Sequence, residues 1–124
     1  MKRIDTKSLN TLSDICNSQS RGAGWWEVAP SDAHRKFEVA TKFALIHSEV
    51  SEALEAYRRG AQDDHLPDRW GVEVELADTL IRIFDLAGAL GLDLAGAVFD
   101  KFHYNAGRAD HKESTRSAAG GKKF

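Results

Sequence analysis

The chain has a single cysteine, Cys16, in 124 residues, so no internal disulfide can form, and the lone thiol fits a reducing compartment. Long apolar runs are missing too. No stretch approaches the roughly 18 uninterrupted apolar residues that a membrane span requires, and the N-terminal MKRIDTKSLN has no apolar signal core. A soluble, unprocessed, cytoplasmic protein is expected, with no membrane partner. Excess charge of one sign is also lacking: 17 Lys and Arg against 19 Asp and Glu give a net charge of -2. There is no long basic stripe to grip a nucleic-acid backbone, which disfavours a polymeric nucleic-acid partner. Strand-like alternation is absent as well; apolar residues recur at helical spacing, which predicts an all-α fold. The length fits one domain with a modest core, a size that often gains stability by association with further copies.

Four helices are expected. The first covers roughly Thr6 to Ser18 and is ended by the loop from Ser20 to Gly24, after which Trp25 and Trp26 open an irregular segment up to Pro30. Ser31 or Asp32 caps the second helix, whose apolar stripe is Val39, Phe43, Ile46, Val50, Leu54 and Tyr57 and whose stop is Gly60, after Arg58 and Arg59. A polar connection, Ala61 to Asp68, leads to a third helix from Trp70 or Gly71 to about Leu90, with Gly91 as its stop. The fourth starts at the cap Asp93 and runs to about Ala106, with Leu94, Val98 and Phe102 facing inward. The domain is thus read as residues 1–112. Residues 113–124 are polar and small, and read as a flexible or partner-ordered tail.

The chemistry concentrates in two carboxylate pairs, Glu49 with Glu52 and Glu75 with Asp78, each at i, i+3 and therefore on one face of its helix. Residues 53–74 separate the pairs, enough for one helix to end, turn and return alongside as the other, so that the pairs face each other. Four hard oxygen ligands on two helices suit Mg²⁺, with Mn²⁺ as a substitute. Glu55 is the surface control: it shares the wet side with Ser48, Ser51 and Arg59 and can pair with Arg59. On helix three the polar residues Glu75, Asp78, Arg82 and Asp85 occupy a strip of roughly 80° on the helical wheel. The remaining surface, centred on Leu76, Leu80, Phe84 and Ala87, is apolar and predicts enclosure by other helices or by a partner subunit. The bland reading of Asp78 is an intrahelical pair with Arg82. Burying carboxylates with neither cation nor donors costs several kcal/mol each, which favours a metal site. Lys101, Asn105 and Arg108, at i, i+4 and i+7, put an ammonium, an amide and a guanidinium along one face of helix four, as a polyphosphate bridged through metal would need. Trp25 and Trp26 offer either stacking on a base or packing, with packing favoured for at least one. His47 reads as a packed or boundary residue.

These residues resemble the MazG-like branch of the all-α nucleoside triphosphate pyrophosphohydrolases, whose signature is ExxE, a variable spacer, then ExxD. Here it reads Glu49-Val-Ser-Glu52 and Glu75-Leu-Ala-Asp78, followed by Lys101, Asn105 and Arg108; the likeness spans about Phe43 to Arg108. The resemblance implies a four-helix bundle completed by homo-oligomerisation, as a homodimer or a dimer of dimers. It implies hydrolysis of a deoxy or non-standard nucleoside triphosphate between the α and β phosphates, giving a monophosphate and pyrophosphate. Glu49, Glu52, Glu75 and Asp78 would be the metal ligands, with Glu49 and Glu52 catalytic and Glu52 the base by analogy. Lys101 and Arg108 would hold phosphates, Tyr104 and Asn105 would lie near sugar or base, and Arg82 and Trp25 would join the substrate-binding set. Two departures stand out: Arg82 where many relatives carry an aromatic residue, and a tail whose Lys122 and Lys123 come only after an inserted polar stretch. The alternatives are a non-catalytic helical oligomer that binds nucleotide or a protein partner, and phosphoribosyl-ATP pyrophosphohydrolase.

Overall fold

A computed structural model describes residues 5–122, leaving Lys123 of the tail outside the described residues. The described chain is all-helical: α1 (Thr6–Gly22), α2 (Asp32–Arg59), α3 (Gly71–Ala89), α4 (Leu94–Gly107) and α5 (Glu113–Ser117), with a 3₁₀ turn at Ala109–His111. No strand forms among these residues; Gln62 and Trp70 make one isolated antiparallel bridge. None of the described helices is long and apolar enough to cross a membrane. The chain divides into two compact units. One is Thr11–Leu92; the other joins the N-terminal residues up to Asn10 to the segment from Asp93 onward.

In the larger unit the helix ends follow local chemistry. The Ser31 side chain accepts the His34 N–H at the start of α2, and Gly60 ends it in the left-handed region (φ 60°), donating its N–H to the Ala56 and Tyr57 carbonyls. A glycine suits that position because other residues have a Cβ clash there. α3 begins where α2 is close at hand: a Cβ on Gly71 would sit 3.0 Å from the Ala61 carbonyl oxygen and 3.2 Å from the Ala56 Cβ. With Glu49 bonded to Arg82 farther along, α2 and α3 run antiparallel. On the other side of α3, a Cβ on Gly88 would meet the Ser13 carbonyl oxygen at 2.6 Å and the Asn17 Cβ at 2.7 Å, so α1 packs backbone-close to α3.

The structure adds to the sequence reading at three points. α1 continues through Ser20, Arg21 and Gly22, where a loop is predicted; Ser20 is tied by its hydroxyl to Asp85, and the left-handed Gly24 (φ 80°) makes the turn instead. Much of the α2 stripe, and Leu76 and Leu80 of the α3 apolar surface, are open to solvent in the single chain. Phe43 (52%), Val50 (51%), Leu54 (61%), Tyr57 (65%) and Leu80 (53%) are more than half exposed, whereas Glu49, Ala53, Thr79, Asp85, Leu86 and Ala87 are buried. The two helices meet through small and polar side chains. His47 is exposed rather than packed.

In the smaller unit, Asp93 caps α4 by accepting the Gly96 N–H at 3.0 Å, and Asn10 braces the same corner, donating to Asp93 at 2.9 Å and accepting the Ala95 N–H. Part of the predicted tail is structured, since Glu113–Ser117 forms a helical turn.

Candidate functional site

The antiparallel run of α2 and α3 brings carboxylate oxygens of Glu49, Glu52 and Glu75 within 4.8 Å of one another. Glu49 is buried, Glu75 half-buried and Glu52 exposed, so the group grades from interior to solvent. Among the described residues one cation answers the three acids: Arg82 Nε donates to Glu49 Oε1 at 2.6 Å. The remaining repulsion shows in Glu75, whose carboxyl is pushed up to about 6 by burial first, then by the charges of Glu52, Glu49 and Asp78. Like-charged carboxylates sharing one site raise one another in this way.

Asp78, the fourth expected ligand, is half-buried and stands outside the three-carboxylate group. Its carboxyl is raised by burial and by Glu49, against the lowering influence of Arg82. The bland alternative, an intrahelical pair of Arg82 with Asp78, gives way to the interhelical bond with Glu49, a buried acid in need of a counter-charge. Glu55 is a surface residue, as predicted, paired with Arg58 and Arg59 at 2.9 Å each.

Beside the carboxylates lies a cavity of about 580 Å³, whose wall includes Cys16, Trp25, Lys42, Asp78, Arg82 and Asp85. Its deepest polar member is Asp85, buried at 7% exposure. Asn17 Nδ2 and Trp26 Nε1 each donate to its Oδ1 at 2.8 Å, and the Ser20 hydroxyl donates to Oδ2 at 3.0 Å. The two tryptophans differ in their surroundings. Trp26 is buried at 4% with Arg21, Arg35 and Lys42 around its ring, Lys42 Nζ lying 4.6 Å from the centroid. Trp25 is 70% exposed and forms part of the cavity rim. Lys42 and Asp85 are additions to the predicted set. Both left a trace in the sequence: Lys42 stands seven residues before Glu49 on the same face, and Asp85 belongs to the polar strip of α3.

The remaining candidates lie in the other unit. Lys101 Nζ sits 4.7 Å from the Tyr104 ring centroid, and the Arg108 guanidinium sits 5.8 Å from the same ring. Arg108 does not extend the α4 face to i+7 as predicted. Gly107 ends the helix, Arg108 takes an extended conformation (φ -72°, ψ 133°), and its guanidinium pairs with Asp110. Asn105 is half-buried, and its carbonyl accepts the Arg108 N–H at 3.2 Å.

Comparison of the chain with protein-family models, curated proteins and solved structures finds no match.

Proposed function

We propose that this protein is a Mg²⁺-dependent nucleoside triphosphate pyrophosphohydrolase of MazG-like type, cleaving the α–β phosphoanhydride to release a monophosphate and pyrophosphate. The observation that carries this reading is the convergence of Glu49, Glu52 and Glu75 from two antiparallel helices, with oxygens within 4.8 Å and a single arginine opposing them. The donor set fits a hard divalent cation: it is all carboxylate oxygen, close enough to share one ion, and short of positive charge. When bound, Mg²⁺ supplies neutralisation of phosphate charge and acidification of water.

The protein's own groups account for the rest. Glu49, Glu52 and Glu75 would hold the ion, with Asp78 lending its charge from the cavity wall. Glu52, the exposed carboxylate, takes the proton of the attacking water as the anhydride bond breaks toward pyrophosphate. The cavity volume lies in the range that accommodates a small ligand, with Trp25 offering an aromatic face and Lys42 and Arg82 offering positive charge. The solvent-open apolar residues of α2 and α3 are covered in this reading by a second copy of the chain.

The Glu49–Arg82 pair favours a rival, a non-catalytic nucleotide-binding oligomer whose carboxylates are structural. The two readings separate when the purified chain is incubated with Mg²⁺ and a panel of ribo, deoxy and modified triphosphates. Monophosphate plus pyrophosphate is the expected product pair. Diphosphate plus orthophosphate sinks the proposal, and a nucleotide-induced rise in melting temperature without turnover decides for the rival.

A further inference from the structure

The Arg82–Glu49 bond is only half of what an arginine can offer a carboxylate. Its Nε makes the contact, and neither terminal nitrogen has a hydrogen-bond partner among the described residues. A guanidinium bound through one nitrogen lacks the paired geometry that makes arginine–carboxylate contacts strong. The two side chains are also unequally committed. Glu49 is 8% exposed and needs a counter-charge, while Arg82 is 39% exposed and on the cavity wall. A long side chain with a wet head can withdraw at modest cost, whereas a buried carboxylate left alone is expensive.

We infer that Arg82 is an exchangeable counter-cation: it neutralises Glu49 while the carboxylate site is empty and gives that oxygen up when a divalent cation binds. This rests on the metal-site reading above. It assigns Arg82 a positioning role at the ligand itself, separate from any contact with substrate. The exchange keeps α2 and α3 together before the ion arrives and lowers the affinity of the site for it, because the resident cation must first be displaced. It also sets free a guanidinium on the wall of the cavity only after the ion is in place.

The test uses the full chain as wild type, Arg82→Gln and Arg82→Met, the latter retaining an apolar stem for packing. Mn²⁺ binding is followed by calorimetry, and melting temperature is measured in EDTA and in saturating Mn²⁺. Removing a cation one contact away from the site should tighten Mn²⁺ binding by about tenfold in both variants. Both should melt below wild type in EDTA and recover most of the difference in Mn²⁺. Unchanged or weaker Mn²⁺ affinity in variants that fold, with wild type still binding, overturns the exchange and leaves the metal site standing. An equal loss of melting temperature with and without Mn²⁺ likewise assigns Arg82 a purely structural role. If wild type and both variants fail to bind Mn²⁺, the metal-site reading falls and takes the exchange with it. Should the neutral variants fold only in Mn²⁺, their affinity measured by withdrawal with a graded chelator replaces the titration.

Discussion

Asp85 and Glu75 both stand on α3 and both turn toward neighbouring helices, yet their surroundings are opposite. Asp85 is met by an indole N–H, an amide and a hydroxyl, none of them charged, and every donor comes from α1 or the segment just after it. Glu75 is met by Glu52, Glu49 and Asp78. The first arrangement is closed: lone pairs are matched to donors, and the group locks α1 and Trp26 onto α3. The second is open, with charge in excess of its counter-charge. A protein can retain such an arrangement at a cost in stability when something that arrives later balances it. The difference teaches that burial of an acid is a poor guide to its role; the identity of its neighbours separates the two cases.

The comparison breaks most sharply under mutation. Glu52→Gln and Glu75→Gln should each lower triphosphate turnover by at least about 100-fold, as expected for loss of a group that holds charge at a reacting centre. In EDTA, however, Glu75→Gln should raise stability by up to about 1 kcal/mol, because it removes repulsion from a partly solvated site. Turnover assays paired with urea unfolding of the metal-free protein would show the two effects together. Asp85→Ala should do the reverse, costing about 2–4 kcal/mol in the same unfolding experiment by leaving three donors unmatched. Asp85→Asn keeps an acceptor for Trp26 and Asn17 and should cost only about 1 kcal/mol.

Proton linkage gives a gentler test. The folded-state pKa of Glu75 is about 6, above its ordinary 4.5, so the native protein takes up a proton more readily than the unfolded chain does. Stability from this group is therefore fully present below about pH 4.5 and is lost as pH rises through about 6. Asp78 shifts in the same direction. Asp5, Asp93 and Asp110 are lowered and act oppositely, but at more acid pH, below their ordinary 3.8. Melting temperatures of the metal-free protein should thus rise between pH 7 and pH 5, and Glu75→Gln should flatten that rise. Last and smallest, Glu55→Gln removes only exposed pairs with Arg58 and Arg59. It should change stability by less than about 0.5 kcal/mol and leave turnover at the wild-type rate.

What could be read from the sequence was local. Ser31, Gly60, Gly91 and Asp93 mark helix ends by backbone chemistry that depends on a few adjacent residues, and the observed bounds of α2, α3 and α4 follow them closely. The i, i+3 spacing and the two-helix return similarly bring Glu49, Glu52 and Glu75 together. The inward face was not legible in the same way. A helical wheel separates an apolar side of α3 from a polar strip, but it does not say which side meets α2, and here the polar side does. Nor does spacing report partnerships across helices, so the Arg82–Glu49 bond and the donors around Asp85 come only from the assembled fold. Trp25 and Trp26 are neighbours with the same side chain, and only the position of Asp85 and the cations tells them apart.

The connection between α2 and α3 has a consequence for how this chain could change. Its base is stapled: the Gly71 N–H donates to the Ala61 carbonyl at 2.9 Å, the Asp63 N–H donates to the Arg69 carbonyl at 3.0 Å, and Gln62 bridges Trp70. Beyond that staple the tip from Asp64 to Asp68 is exposed. Register between the acid-bearing helices is held at the staple, while the tip is tied only by local bonds, the His65 and Leu66 N–H groups to Asp63 Oδ1 and the Arg69 N–H to the Leu66 carbonyl. Residues spliced into the tip would leave the carboxylates facing one another. A single residue inserted between Gly71 and Glu75 would instead turn Glu75 by about 100° and carry it out of the group. Length is free in one place and forbidden a few residues away, which makes the tip the natural point at which to graft a tag, a label or a longer loop.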